Sequence, residues 1–277
     1  MKKRRLFCEI SPLAYKISVL KCCTVRRIKD FFSHERFAVE KSSEALPYVI
    51  MKHQSLIRRT LGDVDPVLQD NKAVNLEISA PKVSGIIIKP GETFSFWRLV
   101  GKCRAKDGYK EGLIISKGAT SKGVGGGMCQ FTNLIHWMVL HTPLTITEHH
   151  HHDRFDLFPD FGRKVPFGTG TSITYNYLDY RFKNTTSADW QVIVYTDDKY
   201  LHGEIRCSER LGVKYHIRSE DEHFVMENGE VFRVGEVIRS CIDVKTGETV
   251  SSEVIRENHA KVMYDTSGLD IFDEDRA

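Results

Sequence analysis

The chain has 277 residues, of which 41% are hydrophobic and 28% are charged, and its mean hydropathy is −0.32. These values are typical of a globular chain that can bury a core, as one large domain or two small ones. They exclude wholesale disorder, collagen-like structure and a polytopic membrane protein.

The net charge of +3 conceals an uneven distribution. Residues 1–60 carry 14 Lys or Arg against 5 Asp or Glu, whereas residues 217–277 carry 7 against 15. The basic arm, from Lys2-Lys3-Arg4-Arg5 to Arg26-Arg27, could lie on an anionic membrane surface or on nucleic acid, or simply face water and pair with the acidic tail. We expect no nucleic-acid partner, because no helix-turn-helix, zinc-finger or RNP-like motif occurs.

The apolar stretch that begins at Leu6 is interrupted by Glu9 and Lys16. A secretory signal needs about 7–15 uninterrupted apolar residues, so no standard export signal is expected. The sequence therefore predicts a cytoplasmic protein, with peripheral membrane contact through the basic N-terminus as a candidate interaction.

The N-terminal region has helical periodicity. Between Ser11 and Met51, apolar residues recur at three- and four-residue intervals, namely Leu13, Ile17, Leu20, Ile28, Phe31 and Phe32. Asp63, Asp65 and Pro66 break this pattern and indicate a boundary near residue 70. The β-branched run 86–88, closed by Pro90-Gly91, then predicts a strand and a turn.

The middle of the chain combines strands with one clear helix. Residues 93–127 alternate short apolar runs with glycine turns, which predicts strands and loops. After Gly125-Gly126-Gly127, one face of an amphipathic helix that ends at Thr142-Pro143 is formed by Phe131, Leu134, Ile135, Met138 and Val139.

Downstream, β-type runs at 172–180, 190–196 and 202–207 predict antiparallel strands. Further short strands are expected over 213–262, separated by hairpin turns at Asn228-Gly229 and at 245–248, and the acidic tail 270–275 is expected to fray. The predicted fold is α+β: a helical N-terminal region, then a mostly antiparallel β domain with one central amphipathic helix after a Gly-rich loop. The predicted domains are 1–70, 71–210 and 211–277.

The seven cysteines predict no disulfide framework, because their number is odd and no CxxC spacing repeats. Cys129 stands out because it follows Gly125, Gly126 and Gly127 at the start of the amphipathic helix. Unpaired N–H groups and the helix dipole favour a thiolate there, with Gln130 near an oxyanion. The glycines could instead form only a tight turn, or cradle an anion without covalent chemistry.

The second candidate cluster is the run from Glu148 through His149, His150, His151 and His152 to Asp153. A thiolate nucleophile needs a base, and one of His149 to His152 could supply it. Strand spacing would put His149 and His151 on one face, with Glu148, Asp153 or Asp156 as the orienting group. The run could equally be an exposed polar segment or a metal site, with zinc as the candidate ion and Cys129 as a fourth ligand. No cofactor is otherwise predicted.

Two further histidines, His136 and His141, lie off the apolar stripe of the amphipathic helix. We therefore expect both to be surface residues.

Over residues 86–207 the chain resembles the VanW family, whose members occur with glycopeptide (vancomycin) resistance clusters of the B and G types. The resemblance rests on spaced blocks in one order, at 89–96, 107–111, 125–130 and 179–185. Where many members have a Glu-Arg-His-x-His-Ser block, this chain has the His-rich run 148–153, the form associated with the resistance-cluster members. The resemblance implies an accessory role in resistance, connected with peptidoglycan precursors or the cell wall.

Two classes of function follow and stay open at this point. The first is a cysteine-dependent hydrolase or transferase for an amide or ester, with Cys129 as nucleophile, His149 or His151 as base and Gln130 near the oxyanion. The second is a non-catalytic module that binds a cell-wall precursor or a partner protein in a cleft beside Gly125, Gly126 and Gly127.

Overall fold

The computed structural model describes residues 6–59, 65–116, 119–151, 154–160, 162, 165–175 and 177–273. It confirms the predicted α+β fold. The helices are α1 (Pro12–Phe32), α2 (Pro66–Val83), α3 (Phe96–Val100) and α4 (Met128–Val139), with 3-10 turns at Phe7–Glu9 and Ala105–Asp107. The strands are β1 (Arg36–Phe37), β2 (Tyr48–Leu56), β3 (Ile86–Ile88), β4 (Glu92–Ser95), β5 (Glu111–Ser116), β6 (Ala119–Val124), β7 (Thr145–Glu148), β8 (Phe155–Asp156), β9 (Arg181–Lys183), β10 (Trp190–Thr196), β11 (Tyr200–Cys207), β12 (Val213–Glu227), β13 (Glu230–Asp243), β14 (Thr249–Val262) and β15 (Ile271–Asp273).

The described strands form four sheets. Two are four-stranded, with the orders β1-β4-β9-β7 and β2-β11-β10-β3, and β5 and β6 form a two-stranded ribbon. The fourth sheet has the order β15-β12-β13-β14-β8, and its three long strands are antiparallel. At one edge of this C-terminal sheet, β8, which follows the His-rich run, pairs parallel with β14.

The main core lies between α2, α4 and the two four-stranded sheets. Asp65 caps α2 by accepting a hydrogen bond from the Val67 N–H, and Pro66 occupies the first helical turn, where its missing N–H is not needed. The core is rich in buried aromatic side chains, among them Phe94, Phe96, Phe131, Phe182 and Trp190. These rings fix the position of α4 and of the Gly-rich loop that precedes it.

In the N-terminal region the helix prediction is confirmed for α1 and wrong from residue 33 onward. Ser11 caps α1 by accepting from the Ala14 N–H. Residues 48–56, however, form β2, which pairs antiparallel with β11. Residue 70, the predicted boundary, lies within α2, and the proposed division into domains stays a prediction.

Several other elements are as predicted, including β3, α4 and the two hairpins that join β12, β13 and β14. The strand predicted at 172–180 is wrong, since the described part of this segment forms only an isolated bridge between Thr174 and Leu178. The predicted fraying of the tail is wrong for 271–273, because β15 pairs parallel with β12. Residues 274–277 lie outside the described chain.

Of the helices in the described ranges, none combines the length and the apolar character needed to cross a membrane.

Candidate functional site

The Gly-rich loop before α4 is closely packed against its neighbours. Gly125 and Gly127 have positive φ angles of 85° and 107°, which favour glycine. A Cβ atom on Gly126 would lie 2.6 Å from the Cα of Gly112 in β5, and one on Gly127 would lie 2.5 Å from the Cγ of Lys72 in α2. Gly126 and Gly127 therefore let the loop contact β5 and α2 directly, and the assignment of the three glycines as ligand-binding residues stays a prediction.

Lys72 and Asn75 of α2 contact this loop. The Asn75 side chain donates to the Gly126 carbonyl (2.9 Å) and accepts from the Lys110 N–H (2.7 Å). Lys72 is buried, and burial together with repulsion from Arg59 and Arg58 lowers its pKa to about 8. Sequence reasoning missed both side chains, because polar residues on a charged helix usually face water.

Cys129 lies in the first turn of α4, as predicted, and is only partly exposed. Burial raises the pKa of Cys129, and a hydrogen bond from the Ile173 N–H offsets only part of this effect. Gln130 donates to the Ser55 Oγ (2.9 Å) and to the Leu56 carbonyl (2.8 Å) at the end of β2. The thiol therefore favours its neutral form, and the Gln130 amide joins α4 to β2.

The segment 170–173 lies between α4 and the His-rich run. Its Thr171 N–H donates to the Asn133 side chain of α4 (2.6 Å), and its Gly170 carbonyl is 2.8 Å from His149 Nε2. The same segment supplies the Ile173 N–H that reaches Cys129. Cys129 and His149 are thus attached to the same short segment, three residues apart along it.

His136 was expected at the surface, and this prediction is wrong. It is 3% exposed, its ring stacks on His149 at a centroid distance of 4.2 Å, and its Nδ1 is 3.1 Å from the Tyr180 hydroxyl. Burial, and then the neighbouring His149 and His151, lower the pKa of His136 well below its ordinary value. Residues off the apolar stripe of an amphipathic helix are usually exposed, but α4 is buried on nearly every side, so these residues also face protein.

The predicted orienting group Glu148 belongs to a buried ionic network. Burial raises its pKa, but hydrogen bonds from Arg26, the Asp179 N–H and His150 outweigh this and leave the pKa below its ordinary value. Arg26 of α1 binds both carboxylate oxygens of Glu148 at 2.6 Å. Beside it, Arg181 binds both oxygens of Asp30 in α1, at 2.7 and 2.8 Å. The network therefore attaches α1 to β7 and β9.

His152 and Asp153 lie outside the described residues, so their predicted roles as base, orienting group or metal ligand stay predictions. Within the parts of the chain that the structure describes, no three His, Cys, Asp or Glu side chains are grouped so as to hold a metal ion.

A cleft of about 440 Å³ opens where the end of α4 and β7 face the C-terminal sheet. Its described lining includes His136, His149, Leu144, Ile146, Thr145, Thr169, Tyr215, Arg239, Glu253, Ile255 and Arg256. This volume falls in the range of sites for small ligands, about 300–1,000 Å³. Of the candidate residues taken from the sequence, His149 lines the cleft, whereas the described lining does not contain Cys129 or Gln130.

The arginines on the sheet side of the cleft are held in place by protein contacts. Arg239 donates to the carbonyls of Leu140 (2.9 Å) and Thr142 (2.6 Å), and its guanidinium lies 4.1 Å from the centre of the Tyr215 ring. Arg256 Nη2 is 3.5 Å from His151 Nδ1. The sequence could not identify this cleft, since the strands that form one wall carry no recognisable motif.

The family model described as VanW like protein matches residues 71–206. The chain is 32% identical over 228 residues to the Vancomycin B-type resistance protein VanW of Enterococcus faecalis (strain ATCC 700802 / V583), covering 82% of each chain. It is also 33% identical over 114 residues to the Uncharacterized protein YoaR of Bacillus subtilis (strain 168), covering 41% of this chain and 36% of that one. No solved structure matches the chain. The resemblance predicted from the spaced motifs is confirmed, and the chain belongs to the VanW family.

Proposed function

We propose that this chain is an accessory protein of vancomycin resistance that binds a peptidoglycan precursor peptide in the cleft between α4, β7 and the C-terminal sheet. The similarity to a protein named for vancomycin resistance, over 82% of both chains, supports the resistance role. The observation that carries the binding role is the cleft itself, with His149 on one wall and Arg239 and Arg256 on the other.

The chemistry of the lining favours a short peptide with a free carboxylate. Among the described lining residues, the formally charged groups are Arg239, Arg256 and Glu253, and Arg239 pairs with Glu253 at 2.8 Å. Guanidinium groups bind carboxylates through charge-assisted hydrogen bonds, and Leu144 and Ile146 offer an apolar surface for small side chains. Because Arg239 is already held by two backbone carbonyls and by the Glu253 carboxylate, it needs little reordering when a ligand enters.

This binding role has more support than a cysteine nucleophile. Cys129 is only partly exposed, and burial raises the pKa of its thiol, which disfavours the thiolate despite a hydrogen bond from the Ile173 N–H. A hydrolase or transferase that uses Cys129 with His149 or His151 needs the thiolate that this burial disfavours. We retain that activity as the second hypothesis, because the segment 170–173 contacts both Cys129 and His149.

Calorimetric titration of a synthetic peptidoglycan stem pentapeptide into the full chain tests the binding role. We expect saturable binding that weakens about tenfold or more when the peptide carries a C-terminal amide, because a charge-assisted hydrogen bond contributes roughly 1.5–3 kcal/mol. Arg256→Gln should weaken binding of the free acid by a similar factor. Arg218→Gln is the matched control, since Arg218 lies in the same sheet and pairs with Glu220 and Ser240.

Absence of binding, or equal binding of the acid and the amide, would contradict the proposal. The second hypothesis makes a different prediction, which is release of a peptide fragment that stops in Cys129→Ser. Zinc analysis of untagged protein addresses the predicted metal site, and stoichiometric zinc lost on His149→Ala would assign the His-rich run to metal binding.

A further inference from the structure

Helix α1 is attached to the protein through its polar side. Arg26 pairs with Glu148 and donates to the Tyr177 carbonyl (3.0 Å), while Asp30 pairs with Arg181. Arg26 and Asp30 are four residues apart and therefore share one face of the helix. An ordinary surface helix packs its apolar face inward, so α1 is oriented in the opposite sense.

The apolar side of α1 faces outward. Leu13 and Leu20 are each 67% exposed and Phe31 is 79% exposed. At about 100° per residue these three side chains fall within about 20° of one another around the helix, and Ile17 and Ile28 extend the same stripe. Of the 24 large hydrophobic side chains that are exposed in the described ranges, 11 lie between Leu6 and Phe32. This concentration makes one continuous apolar surface, which a soluble protein rarely leaves uncovered.

Basic side chains border the stripe on both sides. Lys16, Lys21 and Arg27 are exposed and lie within about 80° of Leu13 around the helix. The one acidic residue of α1 is Asp30, and it is paired with Arg181 on the attached side. The outward half of α1 thus combines an apolar centre with cationic edges.

We propose that α1 is a membrane-surface helix that lies on an anionic lipid bilayer, with the Leu13, Leu20 and Phe31 stripe in the interface and Lys16, Lys21 and Arg27 against lipid headgroups. An apolar face bordered by Lys and Arg is the pattern of helices that lie in the bilayer interface. The charged residues along the helix keep it on the surface. This site is separate from the cleft, and the two proposals can fail independently.

Two other occupants, a second copy of the chain and a nucleic acid, fit this surface less well. A second copy of the chain, packed stripe to stripe, would bring the Lys and Arg borders of both helices together without acidic partners. Nucleic acid would use the basic borders and leave the large side chains of the stripe in water. An anionic bilayer offers apolar acyl chains to the stripe and negatively charged headgroups to its basic borders.

Vesicle flotation with the full chain tests the proposal, using vesicles of phosphatidylcholine alone and of phosphatidylcholine with 30% phosphatidylglycerol as the probe. We expect flotation with the anionic vesicles and little with the neutral ones. Leu20→Glu with Phe31→Glu should lower the partition coefficient on the order of a hundredfold. Lys16→Gln, Lys21→Gln and Arg27→Gln together should lower it by a similar factor, since each basic residue near an anionic surface contributes about fivefold.

The matched control is Val250→Glu with Val254→Glu, which places two carboxylates at exposed valines of β14 and should leave flotation unchanged. All variants alter exposed side chains, and circular dichroism of each variant checks that it is folded. Failure of the wild type to float would overturn the proposal, as would equal flotation with both vesicle types. Light scattering that shows a dimer dissociated by Leu20→Glu would assign the stripe to a second copy instead.

Discussion

Replacement of Gly126 by alanine tests how the Gly-rich loop is built. Gly126 faces Gly112 of β5, and the new Cβ would lie 2.6 Å from the Gly112 Cα and 2.8 Å from its carbonyl oxygen. Both atoms belong to the backbone, so no side-chain rotation can relieve the clash. Either the loop or β5 has to shift, and the Asn75 hydrogen bond to the Gly126 carbonyl is strained with it.

Overpacking of this kind costs about 1–3 kcal/mol, and we expect Gly126→Ala to fall in the upper half of that range. For a chain of this size each kcal/mol lowers the melting temperature by roughly 2–4 °C, which predicts a decrease of about 4–12 °C by differential scanning calorimetry. Gly212→Ala is the control, since no atom lies within 4 Å of its added Cβ. If the two variants have the same melting temperature, the close contact between the loop and β5 is refuted.

Three further predictions concern the groups around α4. Arg181→Met removes the cation that pairs with the buried Asp179 and leaves Asp30 with only Arg98, at 3.9 Å, so it should cost about 3–5 kcal/mol in urea unfolding, against less than about 1 kcal/mol for Arg58→Met at an exposed pair; similar losses would contradict the network around Arg181. The folded-state pKa of His136 is lowered, so its contribution to stability is complete above the ordinary value of 6.5 and is lost as pH falls below it. His136→Gln should therefore lose less stability than the wild type between pH 7.5 and pH 5, and equal losses would exclude His136 as a source of acid sensitivity. Burial raises the pKa of Cys129, so iodoacetamide should modify it more slowly at pH 7.5 than the exposed Cys22, as read by peptide mass spectrometry; faster modification that is lost in His149→Ala would instead support the nucleophile hypothesis.

Short-range sequence patterns correctly predicted those elements whose tertiary contacts favour the same conformation as the local sequence. The stripe from Phe131 to Val139 defines α4, and Asn228-Gly229 defines the turn between β12 and β13, because each signal is strong and short-range. The strand β2 was missed because its inward and outward faces are set by pairing with β11. Such long-range pairing overrides local periodicity.

The candidate site was predicted only in part. The position of Cys129 at the start of α4 was correct, but its environment depends on the segment 170–173, which folds across the helix from 40 residues away. The burial of His136 and the cleft beside His149 depend on contacts with Tyr180 and with the C-terminal sheet. Periodicity predicts that α1 has an apolar face but not that this face points outward, because a helix that packs its apolar side inward has the same pattern.

The central claim is that the cleft between α4, β7 and the C-terminal sheet binds a carboxylate-bearing cell-wall peptide. Photo-crosslinking of a diazirine-labelled stem pentapeptide to the full chain, followed by peptide mass spectrometry, tests it most directly. We expect adducts on residues 144–149 and 253–256. Unlabelled free-acid peptide should prevent these adducts, and the C-terminal amide should not. Adducts confined to the segment around Cys129 and Gly125, or adducts that no peptide competes away, would contradict it.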